Sequence, residues 1–252
     1  MKTKLLTYSI ISLGFLATLS QSHAAVWASD DFESNTLTGG SGNWTTDWTH
    51  GGAGGSFVNS GSEIEGTYSG ALYTSGGGVS TLKREFTTLD SSNSGTVGAS
   101  WSIKGLANMQ EIGVNLIGSM SNGDTYILTM KFDVDFTDGL RMDNGGDEFT
   151  TATEVDYANG SIFDFTFSSE IGSEQYTWSV ASDSGASASQ TYHYNYDGAG
   201  LSLTSFSAIE FFWEAPNGTG NDGLIDNVSL VPEPSSAIAG LLLITGLMHR
   251  RR

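Results

Sequence analysis

Apolar and polar residues alternate with period two along most of this chain, and no stretch sustains a helical period. The longest run is Thr125 to Phe136. Tyr126, Leu128, Met130, Phe132, Val134 and Phe136 share one face there, and Thr125, Ile127, Thr129, Lys131, Asp133 and Asp135 share the other. Val97, Ala99, Trp101 and Ile103 repeat the pattern. So do Phe163, Phe165 and Phe167, and again Tyr176, Trp178 and Val180. Successive side chains of a strand point to opposite faces, so each run predicts a strand with one buried and one solvated face. Turn-forming clusters separate the runs, among them Ser121-Asn122-Gly123-Asp124, Asp138-Gly139, Asp143-Asn144-Gly145-Gly146, Asp183-Ser184-Gly185 and Asp197-Gly198.

This spacing predicts about eleven to thirteen strands in an all-β, antiparallel jelly-roll sandwich. One domain is expected from residue 25 to 230. An immunoglobulin-like pair of domains is the alternative, and the missing mid-chain linker counts against it. The Gly-rich stretch 39–62 reads as loop, with Trp44, Trp48 and Phe57 as isolated anchors.

Both ends depart from the alternation. Lys2 and Lys4 precede an apolar run from Leu5 to Leu19, and Ser22-His23-Ala24 places small residues at a cleavage point. Residues 1–24 therefore read as a secretory signal peptide removed by signal peptidase, with an N-terminal anchor as the alternative. At the other end the twelve apolar residues Ala237 to Met248 are followed by His249, Arg250, Arg251 and Arg252. As a helix they rise about 18 Å, against about 30 Å of membrane hydrocarbon. Pro232 and Pro234 limit extension upstream, and the arginines favour the cytoplasmic side. The segment suits transient membrane insertion, or else an ordinary tail anchor.

The chain has no cysteine, so its fold is held without disulfides. Its net charge is −18, and loss of both ends leaves five basic and 27 acidic residues. Such a surface repels nucleic acid and anionic lipid and favours cations; acidity also simply keeps an exported protein soluble.

Candidate chemistry is sparse. Asp226 shares a face with Leu224, Val228 and Leu230 by parity, which would put a carboxylate in an apolar setting. Such a group needs a partner, and calcium is an attractive one in a chain with few basic residues. Asp133, Asp135 and Asp138 form a second acidic cluster, without EF-hand spacing. Tyr192, Tyr194 and Tyr196 lie on one strand face. Exposed, they would form a sugar-stacking platform; buried, they are core. Trp213 carries the same ambiguity. Glu63 and Glu65 would share a strand face, as paired acids of a glycosidase do, yet a solvated face explains them as well. No H-E-x-x-H or G-x-S-x-G occurs, and no catalytic residues are assigned.

Two resemblances add to this. Pro232-Glu233-Pro234, the apolar run and Arg250–Arg252 together resemble the PEP-CTERM sorting tail of Gram-negative bacteria. The resemblance implies that residues 231–252 are a tail recognised and removed by an exosortase, and it implies association with exopolysaccharide. Asp30-Asp31-Phe32-Glu33 near the start and Ile225-Asp226-Asn227-Val228 near the end resemble paired strands of jelly-roll carbohydrate-binding modules. That likeness implies a structural calcium held by Asp31, Glu33 and Asp226, with Asn221 and Asp222 as helpers. The expected protein is a non-catalytic, exported surface or matrix protein. A carbohydrate-binding module with structural calcium is the alternative, followed by a jelly-roll glycoside hydrolase or lyase.

Overall fold

The computed structural model describes residues 26–61, 63–74, 78–105, 111–133, 140–143, 148–152, 155, 160–194, 200–215 and 221–233. The signal segment, Pro234, Arg250–Arg252, Tyr196, Asp135 and Asp138 lie outside them. Sixteen strands are present among the described residues. Four short ones open the chain: β1 (Ala28–Asp30), β2 (Ser41–Gly42), β3 (Thr49–Gly52) and β4 (Gly55–Asn59). Then come β5 (Ser69–Thr74), β6 (Gly78–Asp90), β7 (Thr96–Gly105) and β8 (Glu111–Met120). β9 (Thr125–Asp133), β10 (Leu140–Asp143), β11 (Glu148–Ala152) and β12 (Ile162–Glu170) follow. The last four are β13 (Gln175–Ser182), β14 (Ser187–His193), β15 (Leu203–Ala215) and β16 (Asn221–Glu233).

They form two antiparallel sheets. The nine-stranded sheet runs β14-β13-β12-β7-β16-β1-β2, with β5 also against β16 and β4 against β5. The seven-stranded sheet runs β11-β10-β9-β8-β15-β6-β3. The chain changes sheet between β2 and β3, β3 and β4, β5 and β6, β6 and β7, β7 and β8, β11 and β12, β14 and β15, and β15 and β16. Sequence-distant strands thereby become neighbours, as in a jelly-roll sandwich.

The core draws on both sheets and follows the alternation. Tyr126, Leu128, Met130 and Phe132 of β9 are buried while Ile127 is exposed. Phe165 sits opposite Trp101 in the register, and their rings stack at 5.6 Å. Trp213 is fully buried against Gly223, where a Cβ would come within 1.8 Å of the indole. The stretch 39–62 is not simply loop: β2, β3 and β4 form there because the edges of β1, β6 and β5 offer unpaired backbone.

Strand β16 runs through Val231, Pro232 and Glu233, which pair with Gly98, Val97 and Thr96 of β7. The first three residues of the expected tail therefore lie in the sheet. The pairing with β1 stops at Leu230, so the missing N–H of Pro232 leaves no gap on that side.

Candidate functional site

The parity assigned to β16 fails at one residue. The register with β7 shifts between Asp226 and Ser229, where Asn227 adopts φ 53°. This bulge turns Asp226 and Leu224 to the outward face, while Val228 and Leu230 join the core. Asp226 is buried all the same. It lies where β5 ends its pairing with β16 and β1 begins, beneath the loop before Ser69. Ser69 Oγ donates to Asp226 Oδ2 at 2.8 Å, and Asn227 N donates to Oδ1 at 2.8 Å. Burial pushes this carboxyl up to about 6. Hydrogen bonds from Ser69, Asn227 and Glu65 oppose the rise, and the Glu33 charge adds to it.

Glu33 is thus brought beside Asp226. Its Oε1 accepts from the N–H groups of Thr67 and Tyr68 at 2.7 and 3.0 Å, which hold its carboxyl below the usual range. Asp31 is exposed and accepts from Glu33 N. Glu33 and Asp226 are thus held by three consecutive residues, Thr67, Tyr68 and Ser69, while Asp31 binds the N–H of Glu33. Among the described residues no group of three acidic or histidine side chains could hold a metal ion. Asn221 and Asp222 lie at the far end of β16, opposite Thr74 and Tyr73. Glu63 and Glu65 are in the loop ahead of β5, not on a strand. Glu65 accepts from Asn227 Nδ2 at 3.2 Å, and the carbonyl of Glu63 accepts from Lys104.

Sequence reasoning missed the inward carboxylate at this end, Asp30. Its Oδ2 accepts from Arg84 Nη1 and from Trp48 Nε1, and its Oδ1 from Phe32 N. Arg84 also donates to the carbonyls of Thr46 and Gly39 and lies 4.4 Å from the Trp44 ring centre. The signal was present: Leu82, Arg84 and Phe86 share parity on β6.

Among the described residues the aromatic platform is not formed. Tyr194 is 1% exposed and packs 5.0 Å from Tyr176, and Trp213 is 0% exposed. Tyr192 is half-buried against the core. Large rings at the end of a sandwich bury more area inward than a sugar would cover.

The outward face of the nine-stranded sheet carries hydroxyls instead. Ser41, Ser29, Ser229, Ser100, Thr166, Ser179 and Ser189 are successive partners on β2, β1, β16, β7, β12, β13 and β14. One rank along, Ser168, Thr177 and Thr191 continue the pattern beyond Gly98. Neighbours pair at 2.6 Å for Thr166 and Ser179, 2.8 Å for Thr177 and Thr191, and 3.0 Å for Ser29 and Ser41. Neither rank holds a charged residue, although the chain carries −18. The opposite sides of β7, β12 and β13 are Trp101, Phe165, Phe167 and Trp178 of the core, so the hydroxyls stand on a packed base. The sequence signal was the spacing Ser100-x-Ser102, Thr166-x-Ser168, Thr177-x-Ser179 and Ser187-x-Ser189-x-Thr191.

The sandwich has counterparts among solved structures. A lectin, UEA-II complexed with galactose, is 12% identical, with 72% of this chain and 92% of that one covered, at a TM-score of 0.49. The T. cruzi calreticulin globular domain is 12% identical over 89% of this chain and 95% of that one, at 0.49. The marine PL-14 alginate lyase from Aplysia kurodai is 8% identical over 70% and 87%, at 0.47. These likenesses concern fold alone. No protein-family model matches the chain, and neither does any curated protein.

Proposed function

We propose that this chain is an exported, non-catalytic carbohydrate-binding protein that lies along an uncharged polysaccharide of the cell surface or matrix. The observation that carries the reading is the uncharged rank of seven hydroxyl residues in register across the nine-stranded sheet. A hydroxyl both donates and accepts, which matches a sugar polymer that does the same. Strands lie about 4.8 Å apart, so the rank offers one hydroxyl for roughly each sugar residue of an extended chain, over about 29 Å. The sheet twists by roughly 20–25° per strand, which suits a flexible polymer better than a planar crystal. Other partners fit worse. Nucleic acid needs a basic surface, and protein partners favour aromatic and arginine anchors. An anionic polymer meets the repulsion of a strongly acidic chain.

Delivery belongs to the same reading. Residues 1–24 direct export and are cut by signal peptidase. The tail from 231 inserts transiently in the inner membrane and is removed by an exosortase, leaving the domain with exopolysaccharide. A structural calcium at the junction of β1, β5 and β16 is supported by the approach of Glu33 and Asp226, with backbone carbonyls required for the remaining oxygens. Affinity electrophoresis of the full-length chain through gels containing hydroxyethylcellulose, dextran or alginate tests the polymer reading. Retardation by a neutral polymer and none by alginate is expected; no retardation in either neutral gel overturns it.

A further inference from the structure

The seven-stranded sheet has its own outward face, and it is built differently. Its middle rank is polar. Thr129, Asn115, Glu210, Lys83 and Thr49 are successive partners on β9, β8, β15, β6 and β3. Thr129 Oγ1 donates to Asn115 Oδ1 at 2.7 Å, and Asn115 Nδ2 donates to Glu210 Oε1 at 2.9 Å. The Thr–Asn–Glu chain thereby fixes the orientation of the amide and the carboxylate. Among the described residues Glu210 uses only Oε1, and one N–H of Asn115 is not engaged.

Apolar side chains flank this rank on one side. Two residues along stand Ile127, 48% exposed, and its partner Ile117. The other side holds Lys131, paired with Glu111 at 2.8 Å, then Gly113 and Phe212, whose ring is buried. Ranks on one face are separated by about 7 Å, so the isoleucines stand about 7 Å from the acid and amide.

We propose that Glu210, Asn115 and Thr129, bordered by Ile127 and Ile117, form a subsite for a single uncharged hexopyranose bearing a vicinal diol. A carboxylate beside an amide matches such a diol. One sugar hydroxyl donates to Glu210 Oε2, and its neighbour accepts from the remaining Asn115 N–H. A pyranose is amphipathic, with polar edges and C–H faces, and the polar rank beside Ile127 and Ile117 has the same division. The subsite rests on the carbohydrate reading but not on the hydroxyl face. With both faces occupied from opposite sides, the domain joins two glycan segments.

Saturation-transfer and titration NMR on the full-length chain tests this, with methyl α-mannopyranoside, methyl β-glucopyranoside and methyl β-galactopyranoside as probes. At least one glycoside should bind saturably. Glu210→Gln and Asn115→Ala should each weaken it at least tenfold, with thermal melts confirming that both variants fold. The triple variant Thr166→Val, Thr177→Val, Thr191→Val should leave glycoside binding unchanged while weakening polymer retardation at least tenfold. The subsite is overturned if none of the three glycosides binds, or if binding survives both Glu210→Gln and Asn115→Ala. Loss of polymer retardation alone, with glycoside binding intact, fails the hydroxyl face and leaves the subsite standing.

Discussion

Arg84 on β6 donates to Asp30 on β1, an ion pair that ties the two sheets together inside the sandwich. Each nitrogen of the guanidinium has a partner. Trp48 and Phe32 complete Asp30, and the carbonyls of Thr46 and Gly39 complete Arg84. Burial lowers the pKa of the guanidinium, and the Asp30 charge opposes that shift. A buried pair is costly to break because one charge is left without its partner. Asp30→Asn should therefore destabilise the domain by about 3–5 kcal/mol in chemical denaturation. The double variant Asp30→Leu, Arg84→Met should recover part of the loss. A loss below about 1 kcal/mol in the single variant would show that water already reaches the pair.

The Asp226 carboxyl gives the domain an unusual acid response. Its folded pKa is about 6 against a usual 3.8, so the folded chain holds more protons between those values. Stability then falls as pH rises from about 4 to about 6. Glu33 acts in the opposite sense. Its carboxyl is held low by Thr67 and Tyr68, so protonation as pH falls through and below 4.5 loosens that loop. Asp226→Asn should remove the slope between pH 4 and 6 and raise stability at pH 7. Ser69 Oγ can rotate to accept from the new amide, so the fold is retained. An unchanged slope in denaturation midpoints across that range would assign the effect elsewhere.

Calcium is tested at the same junction. If Glu33 and Asp226 share a calcium ion, millimolar calcium should raise the melting temperature by several degrees over chelator, because a ligand of the native state stabilises it. The rise should vanish in Asp226→Asn. Equal melting temperatures in the wild-type chain would remove the ion from the account and leave protonation of Asp226 as the means of relieving the pair.

Gly223 and Trp213 form the tightest steric fit in the core. A Cβ on Gly223 would fall 1.8 Å from the fully buried indole. Gly223→Ala should cost about 3 kcal/mol. Trp213→Phe in the same chain should restore part of that. Measured stability within about 0.5 kcal/mol of wild type would mean that β15 and β16 can slide apart at this crossing.

The sandwich was legible because β7, β9, β12 and β13 follow one rule along most of their length: inward residues are aromatic or aliphatic at every second position, until Ser169 takes the inward place at the end of β12. The same parity misled at Asp226, since a bulge inserts one residue and exchanges the faces beyond it, and no composition signal marked Asn227 as the bulged position. Asp30 was passed over for Asp31 because the short strand β1 offers only three residues from which to read parity. The hydroxyl face was visible in the sequence as serine and threonine at alternate positions. Its meaning was not, because register across seven strands arises from pairings between residues as distant as Ser29 and Ser229. Aromatic residues drew the eye to Tyr194 and Trp213, which the core claims.

If ranked hydroxyls on the nine-stranded sheet hold a neutral polysaccharide, their removal must release it. Replacing Thr166, Thr177 and Thr191 by valine keeps shape and strand preference and removes only the hydroxyls. The most direct measurement compares this variant with the wild-type chain by affinity electrophoresis in hydroxyethylcellulose and dextran gels, alongside a thermal melt. The account predicts at least tenfold weaker retardation with a melting temperature no lower than wild type by more than a few degrees. Retardation equal to wild type would contradict it.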